Sequence, residues 1–174
     1  MGCEEAIRRA YAILEGTPQR IDCGILCQKK CCKGDENDGM QLFPGEEKIL
    51  AGAEGIKIRA SEGNEGYPVA VCEGSCDRST RPLSCRLFPY FPVLLKRGRK
   101  VAVKIAYDPR AVNMCPLVRM GIPATRRFIE AAREAVMELA KEPEIRRYIE
   151  KRCGYMDEIA ELSRALTGKR RTLR

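Results

Sequence analysis

Cys72-Glu73-Gly74-Ser75-Cys76-Asp77-Arg78-Ser79-Thr80-Arg81-Pro82-Leu83-Ser84-Cys85-Arg86-Leu87-Phe88-Pro89 places three thiols at 72, 76 and 85. A short apolar run precedes it at 67–71 and another follows it at 91–95. Read together, these predict a strand that ends on Cys72, a cysteine-rich loop, and a second strand region. Upstream lies Cys23-x3-Cys27-x3-Cys31-Cys32, and downstream Met114-Cys115-Pro116. Eight of the ten cysteines therefore fall in these stretches, while Cys3 and Cys153 stand alone beside predicted helices and read as packing residues. The fold this predicts is α+β: a small metal-stapled domain with short hairpins and cysteine-rich loops, followed by a C-terminal helical segment.

Thiolates are ligands for soft and borderline metals. A chain of 174 residues buries a core without help from disulfides, so stapling a weak fold does not explain the cysteines. The N-terminus, Met1-Gly2-Cys3-Glu4-Glu5, lacks the charged and apolar regions of a secretory signal. No run of 18 apolar residues exists. The expected setting is cytoplasmic and reducing, where clustered cysteines serve as metal ligands or redox thiols. The chain has no histidine. That excludes Ser-His-Asp and Cys-His nucleophile arrangements and leaves sulfur to hold any metal, with carboxylates or water as extras. The formal charge of +8 counts every cysteine as neutral. A four-thiolate zinc site, or a cuboidal iron–sulfur cluster in its +2 state, brings about −2 by ligand counting, so two such sites would roughly halve the excess.

The pattern along the chain predicts a first helix over 4–15, with Ile7, Tyr11 and Leu14 on one face and Gly16 and Pro18 ending it. Pro44-Gly45-Glu46-Glu47 opens a short helix reaching Ala51. Residues 56–60 alternate with period two and pair with 67–71 across Glu62-Gly63-Asn64-Glu65-Gly66. Residues 91–95 and 101–107 form a second hairpin with a basic tip at 96–100. Thr125 is an N-cap, and Phe128, Ala132, Ala135, Val136 and Leu139 follow at helical spacing. Pro143 begins a helix over 144–151; Gly154 breaks it, and a third helix covers 156–166. The organisation expected is a cysteine-cluster domain at 1–122, a helical extension at 123–168 and a basic tail at 169–174.

The candidate metal ligands are Cys23, Cys27, Cys31, Cys32, Cys72, Cys76, Cys85 and Cys115. Cysteines at i, i+4 and i+8 could be aimed at one point by a helical turn or by a tightly turning loop. The adjacent pair Cys31-Cys32 diverges, so the two serve different metals or one lies beside a metal without binding it. The set permits two four-thiolate sites, one polynuclear centre, or one centre plus free thiols. Spacing does not separate zinc, iron–sulfur and copper(I).

Three pieces of the chain resemble a known family. They are the run Cys23 to Cys32, the stretch Leu42-Phe43-Pro44-Gly45-Glu46, and Arg81-Pro82-Leu83-Ser84-Cys85-Arg86-Leu87-Phe88-Pro89. Together they are similar to the bacterial and archaeal CxxCxxCC family of zinc- or iron-chelating domains, the YkgJ-type cysteine cluster proteins. The most specific part is the Arg-Pro-x-x-Cys-Arg-x-Phe-Pro signature, matched residue by residue. The first cluster departs from the family spacing by having x3 twice, and Phe43 stands where threonine is common. The resemblance implies metal binding. A related branch contains flagellin lysine methylases that use an iron–sulfur cluster, but no glycine-rich S-adenosylmethionine loop is seen here.

Arg81 and Arg86 flank Cys85 and are expected to hydrogen-bond thiolate sulfur or offset cluster charge. Glu46 reads as a helix cap or ion-pair partner, and 88–92 as core packing. Between Arg78 and Arg110 nine basic residues face one acid, Asp108, a bias that suits nucleic acid, a thiolate centre or a solvated hairpin. The expectation is a cysteine-ligated iron–sulfur (4Fe–4S) or zinc centre used in redox chemistry or metal handling. The alternatives are a cluster-dependent modifying enzyme and a zinc-stapled interaction module presenting its basic hairpin.

Overall fold

A computed structural model describes residues 2–32, 39–60, 66–74, 76–97 and 100–167. Residues 33–38, most of the hairpin turn at 62–65, the tip glycine and arginine at 98–99 and the basic tail at 169–174 lie outside the described residues. Mixed helix and strand make up the chain, as α+β requires.

Helix α1, Cys3–Ile13, begins with Glu4 and Glu5 in its first turn, where acids oppose the helix dipole. It buries Ala6, Ile7 and Ala10, and Leu14 follows just past its end. This face packs on α7, Arg126–Leu139. Thr125 caps α7 by accepting a 3.3 Å hydrogen bond from the Phe128 amide. The stripe Phe128, Ala132, Ala135, Val136 and Leu139 is buried as the spacing predicts. Burying side chains the size of Phe128 or Leu139 stabilises by about 2 kcal/mol each.

The long hairpin pairs β4, Tyr90–Arg97, with β5, Lys100–Tyr107. Tyr90 faces Tyr107, and their rings stack at 4.7 Å. The Tyr90 hydroxyl accepts from the Ala124 amide at 2.9 Å and so fixes the approach to α7. Helix α7 covers β5, and α8, Pro143–Thr167, covers β4. One core cluster thus joins α1, the short helix Leu83–Leu87, the hairpin, α7 and α8. The described part of the expected extension, 123–167, is a wall of the main core.

A smaller antiparallel sheet has the order β1-β3-β2, from Met40–Gln41, Val69–Cys72 and Ile56–Arg59. Cys72 ends β3 opposite Ile56, the place the hairpin pattern assigned it. Short helices fill the rest: α2, Cys23–Cys27; α3, Glu46–Ile49; α4, Leu83–Leu87; α5, Ala111–Met114; α6, Pro116–Arg119.

The structure differs from the sequence pattern in two places that matter. Helix α8 runs unbroken through Gly154. A glycine in a helix interior costs about 1 kcal/mol against alanine. Ile145, Tyr148, Ile149 and Met156 are buried on both sides of it, and Cys153 packs against the same core. That continuous stripe outweighs the cost. Second, Cys85 sits inside α4 rather than in a loop.

Candidate metal centre

Helix α2 starts because Asp22 accepts from the Gly24 amide at 2.9 Å, an Asx cap visible in the sequence as Asp-Cys-Gly. Its five residues place Cys23 and Cys27 on one face. The helix then stops abruptly. Gln28 and Lys29 both take left-handed φ, at 55° and 54°, which β-carbon-bearing residues adopt at a cost of order 1 kcal/mol each. The Lys29 amide still reaches the Gly24 carbonyl at 2.9 Å, and the Cys32 amide reaches the Lys29 carbonyl at 2.8 Å. The reversed chain enters a tight turn at Lys30–Cys32. Cys31 is exposed there, Cys32 is half-buried, and their sulfurs lie 4.0 Å apart. The i, i+4, i+8 helical arrangement therefore holds for its first two cysteines only.

The run is divided between two neighbourhoods. Cys23 packs with the buried Cys115, which sits between α5 and α6, in a small cluster with Phe88, Ala111 and Leu117. Burial pushes the Cys23 thiol up, and Cys27, Asp22 and Cys115 push it further, against the Arg81 charge. Cys32 instead interacts with Cys72, Cys76 and Cys85. Its thiol is raised first by the hydrogen bond with Cys31 and then by burial. Burial is the leading cause at Cys72, Cys76 and Cys85; the Cys32 charge raises all three, and the Cys72 charge raises Cys76 and Cys85. All ten cysteines are free thiols. Among the described residues no three Cys, Asp or Glu side chains converge at metal-holding geometry.

Arg81 stands between the neighbourhoods. It lies 3.9 Å from the Asp22 carboxylate and hydrogen-bonds Cys76, and its charge lowers Cys23, Cys32 and Cys76. Its Nε is buried without a partner among the described residues.

Arg86 does not hydrogen-bond sulfur, the first of the two roles expected of it. Its five N–H donors all go to carbonyls: Nε to Arg81 at 2.9 Å, Nη1 to Tyr11 and Leu14 at 3.2 and 3.3 Å, Nη2 to Arg78 and Ser79 at 2.7 and 2.8 Å. The guanidinium also covers the Tyr11 ring at 4.3 Å. None of its donors is left for sulfur. It ties the end of α1 to the 78–81 loop that follows Cys76.

Glu46 is fully buried and accepts from Tyr11 Oη at 2.7 Å, the Phe43 amide at 2.9 Å and the Leu83 amide at 2.6 Å. The Leu83 bond anchors the first turn of the helix carrying Cys85. Burial pushes the carboxyl above its usual range, against those hydrogen bonds and the Arg86 charge. The helix it opens has Gly45 at its N-cap and no side-chain cap, so Glu46 does not cap that helix as expected; its reach to Leu83 was not legible in Pro-Gly-Glu-Glu, because it joins residues 37 apart.

Cys3 lies 3.6 Å from a Glu144 oxygen and Cys153 3.5 Å from the Pro92 carbonyl, both against the main core and away from the other thiols. Asp108, the single acid of the basic stretch, is buried and held by Arg110, with Nη2 at 2.6 Å. The described helices include none long and apolar enough to cross a membrane.

The chain matches no protein-family model, no curated protein and no solved structure.

Proposed function

We propose that this chain is a metal-binding protein whose cysteines hold an iron–sulfur cluster, with zinc as the alternative. The observation that carries this reading is that Cys32, Cys72, Cys76 and Cys85, from a tight turn, a strand end, a loop and a helix, come within reach of one another. Cys32 and Cys72 act on each other and on Cys76, and all three act on Cys85. The donor chemistry fits. Sulfur is soft, no histidine competes, and Arg81 supplies a cation beside sulfurs that would be anionic when ligating. Cys23, Cys27 and Cys115, with Cys31 at the exposed edge, form the second candidate set. The signature around Cys85 that resembles the CxxCxxCC chelating family points the same way.

A bound iron–sulfur cluster would supply one-electron redox chemistry. The chain's own residues do the positioning: Glu46 fixes α4 and Arg86 fixes the loop after Cys76. Redox or metal handling is the use proposed.

Anaerobic purification with metal and acid-labile sulfide analysis tests this. A brown protein with iron and sulfide supports the cluster, and a colourless protein with stoichiometric zinc supports the alternative. Protein that takes up neither, with all thiols freely titratable, sinks the proposal. Cys85→Ser should lower metal content and melting temperature together, because ligation is linked to folding.

A further inference from the structure

We propose that the cavity between β1, α4, the β4–β5 hairpin and α8 binds the carboxylate group of a small ligand, with Arg152 as its charge partner. The cavity measures about 20 Å³, above the 10–15 Å³ that admits one water. That is room for one oxygen-sized group. Ser84, Tyr148, Asp108, Arg110 and Arg152 bring polar groups to its wall, among apolar residues such as Leu87 and Phe91.

The charges do not cancel. Asp108 is the acid of the wall, and Arg110 holds both its oxygens: Nε reaches them at 3.0 and 3.2 Å, and Nη2 reaches one at 2.6 Å. The Arg110 amide adds a further bond at 2.9 Å. That pair is self-contained. Arg152 is half-buried and makes no hydrogen bond or ion pair with any described residue; its one directed contact is the Tyr155 ring at 5.1 Å. Burial works against its charge first of all and Arg110 adds to that, while Tyr148, Asp108 and Tyr155 favour it in part. Asp108 is bonded to Arg110, so the wall carries two guanidiniums against one acid; a guanidinium taken partly out of water with no acid bonded to it is unfavourable, and a planar carboxylate matches its donor fork. Two hydroxyls in the wall are already committed: Ser84 Oγ donates to the Gln41 carbonyl at 2.7 Å, and Tyr148, one helical turn before Arg152, points its hydroxyl at the same carbonyl from 3.4 Å, which leaves Arg152 as the group with donors to offer.

The site is separate from the thiols and stands whether or not a metal binds. It does adjoin them, since Ser84 is the neighbour of Cys85 and Met40 packs with the Cys23–Cys115 cluster. A carboxylate held here would sit beside α4.

Amide NMR of the full chain, titrated with acetate and separately with acetamide, tests the assignment. Acetate should give saturable shifts at 40–43, 84–92, 108–110 and 148–152, and acetamide at the same concentrations should not. Arg152→Met should abolish the response, and Arg152→Lys should weaken it several-fold, since an ammonium loses the two-point fit. Arg126→Met, on the exposed start of α7, should respond like wild type. Equal shifts with acetamide, the same loss in Arg126→Met, or an undiminished response in Arg152→Met would each overturn the proposal. Should Arg152→Met fail to fold, the acetate–acetamide comparison on wild type decides alone: no saturable acetate shift ends the idea.

Discussion

Removing the Glu46 carboxylate should be among the most damaging single changes in the chain, and its size follows from the bonding. Glu46→Ala leaves the Phe43 and Leu83 amides without an acceptor in a site that is 0 % exposed. An orphaned buried donor costs about 1–3 kcal/mol. The Tyr11 hydroxyl loses its partner too, but it can rotate toward another, so it adds less. Removing a buried carboxylate gives back part of the loss, because the charged form no longer needs to be desolvated. The expected net destabilisation is about 4 kcal/mol. Glu46→Gln is the sharper control. Its amide oxygen keeps the Tyr11 and Leu83 bonds, while its NH₂ meets the Phe43 amide donor to donor, so it should lose about 1–2 kcal/mol. Urea unfolding of the three proteins, all metal-free, measures both numbers. The accounting is refuted if Glu46→Ala loses less than about 1 kcal/mol, or if Glu46→Gln is as damaging as alanine. Because the carboxyl value is raised in the fold, wild type is favoured at low pH and loses ground as pH climbs through that raised value. The gap between wild type and Glu46→Gln should therefore shrink between pH 4 and neutrality.

The thiols predict a second pH dependence. Cys23, Cys32, Cys72, Cys76 and Cys85 all have raised values in the fold, so below the ordinary thiol range they are protonated in both states and stability is unaffected. Above about pH 8.5 the unfolded chain alone releases protons, and the metal-free protein should melt progressively lower; a flat melting temperature from pH 8 to 10 would contradict the burial. Gly154→Ala should stabilise by about 0.5–1 kcal/mol in urea, since a Cβ there meets nothing within 4 Å; a loss would mean that α8 is not continuous. Thr125→Ala should cost about 1 kcal/mol through the lost cap of α7, and Thr125→Ser should restore most of it.

Periodicity carried the parts of the fold that depend on local pattern. The α7 stripe from Phe128 to Leu139 and the alternation at Ile56–Arg59 are properties of neighbouring residues, so the sequence displays them directly. Helix α4 is five residues long and too short to be stable alone. It exists because Glu46 receives its first amide and Leu83 and Leu87 are buried, and both conditions come from distant segments. Gly154 misled for the converse reason, since a local penalty was outweighed by packing that only the assembled core provides. The cysteines show the same divide. Their count and clustering were plain, but Cys32 parts from Cys27 because of two left-handed residues that nothing in Gln28-Lys29 announces. The role of Arg86 was hidden because its partners are carbonyls, which every residue has.

The Arg86 clamp also has a kinetic meaning. Two of its acceptors lie 75 and 72 residues earlier in the chain, and the other three only 5 to 8. The near bonds can form while the 78–86 segment is still searching for its place, but the far ones require α1 to have docked. Closing so long a loop belongs late in folding, after the entropy of bringing the ends together has been met by other contacts. Weakening the clamp should then leave the folding rate nearly unchanged and hasten unfolding. Arg86 would set how long the cysteine loop stays in place once formed, acting as a latch on residence time.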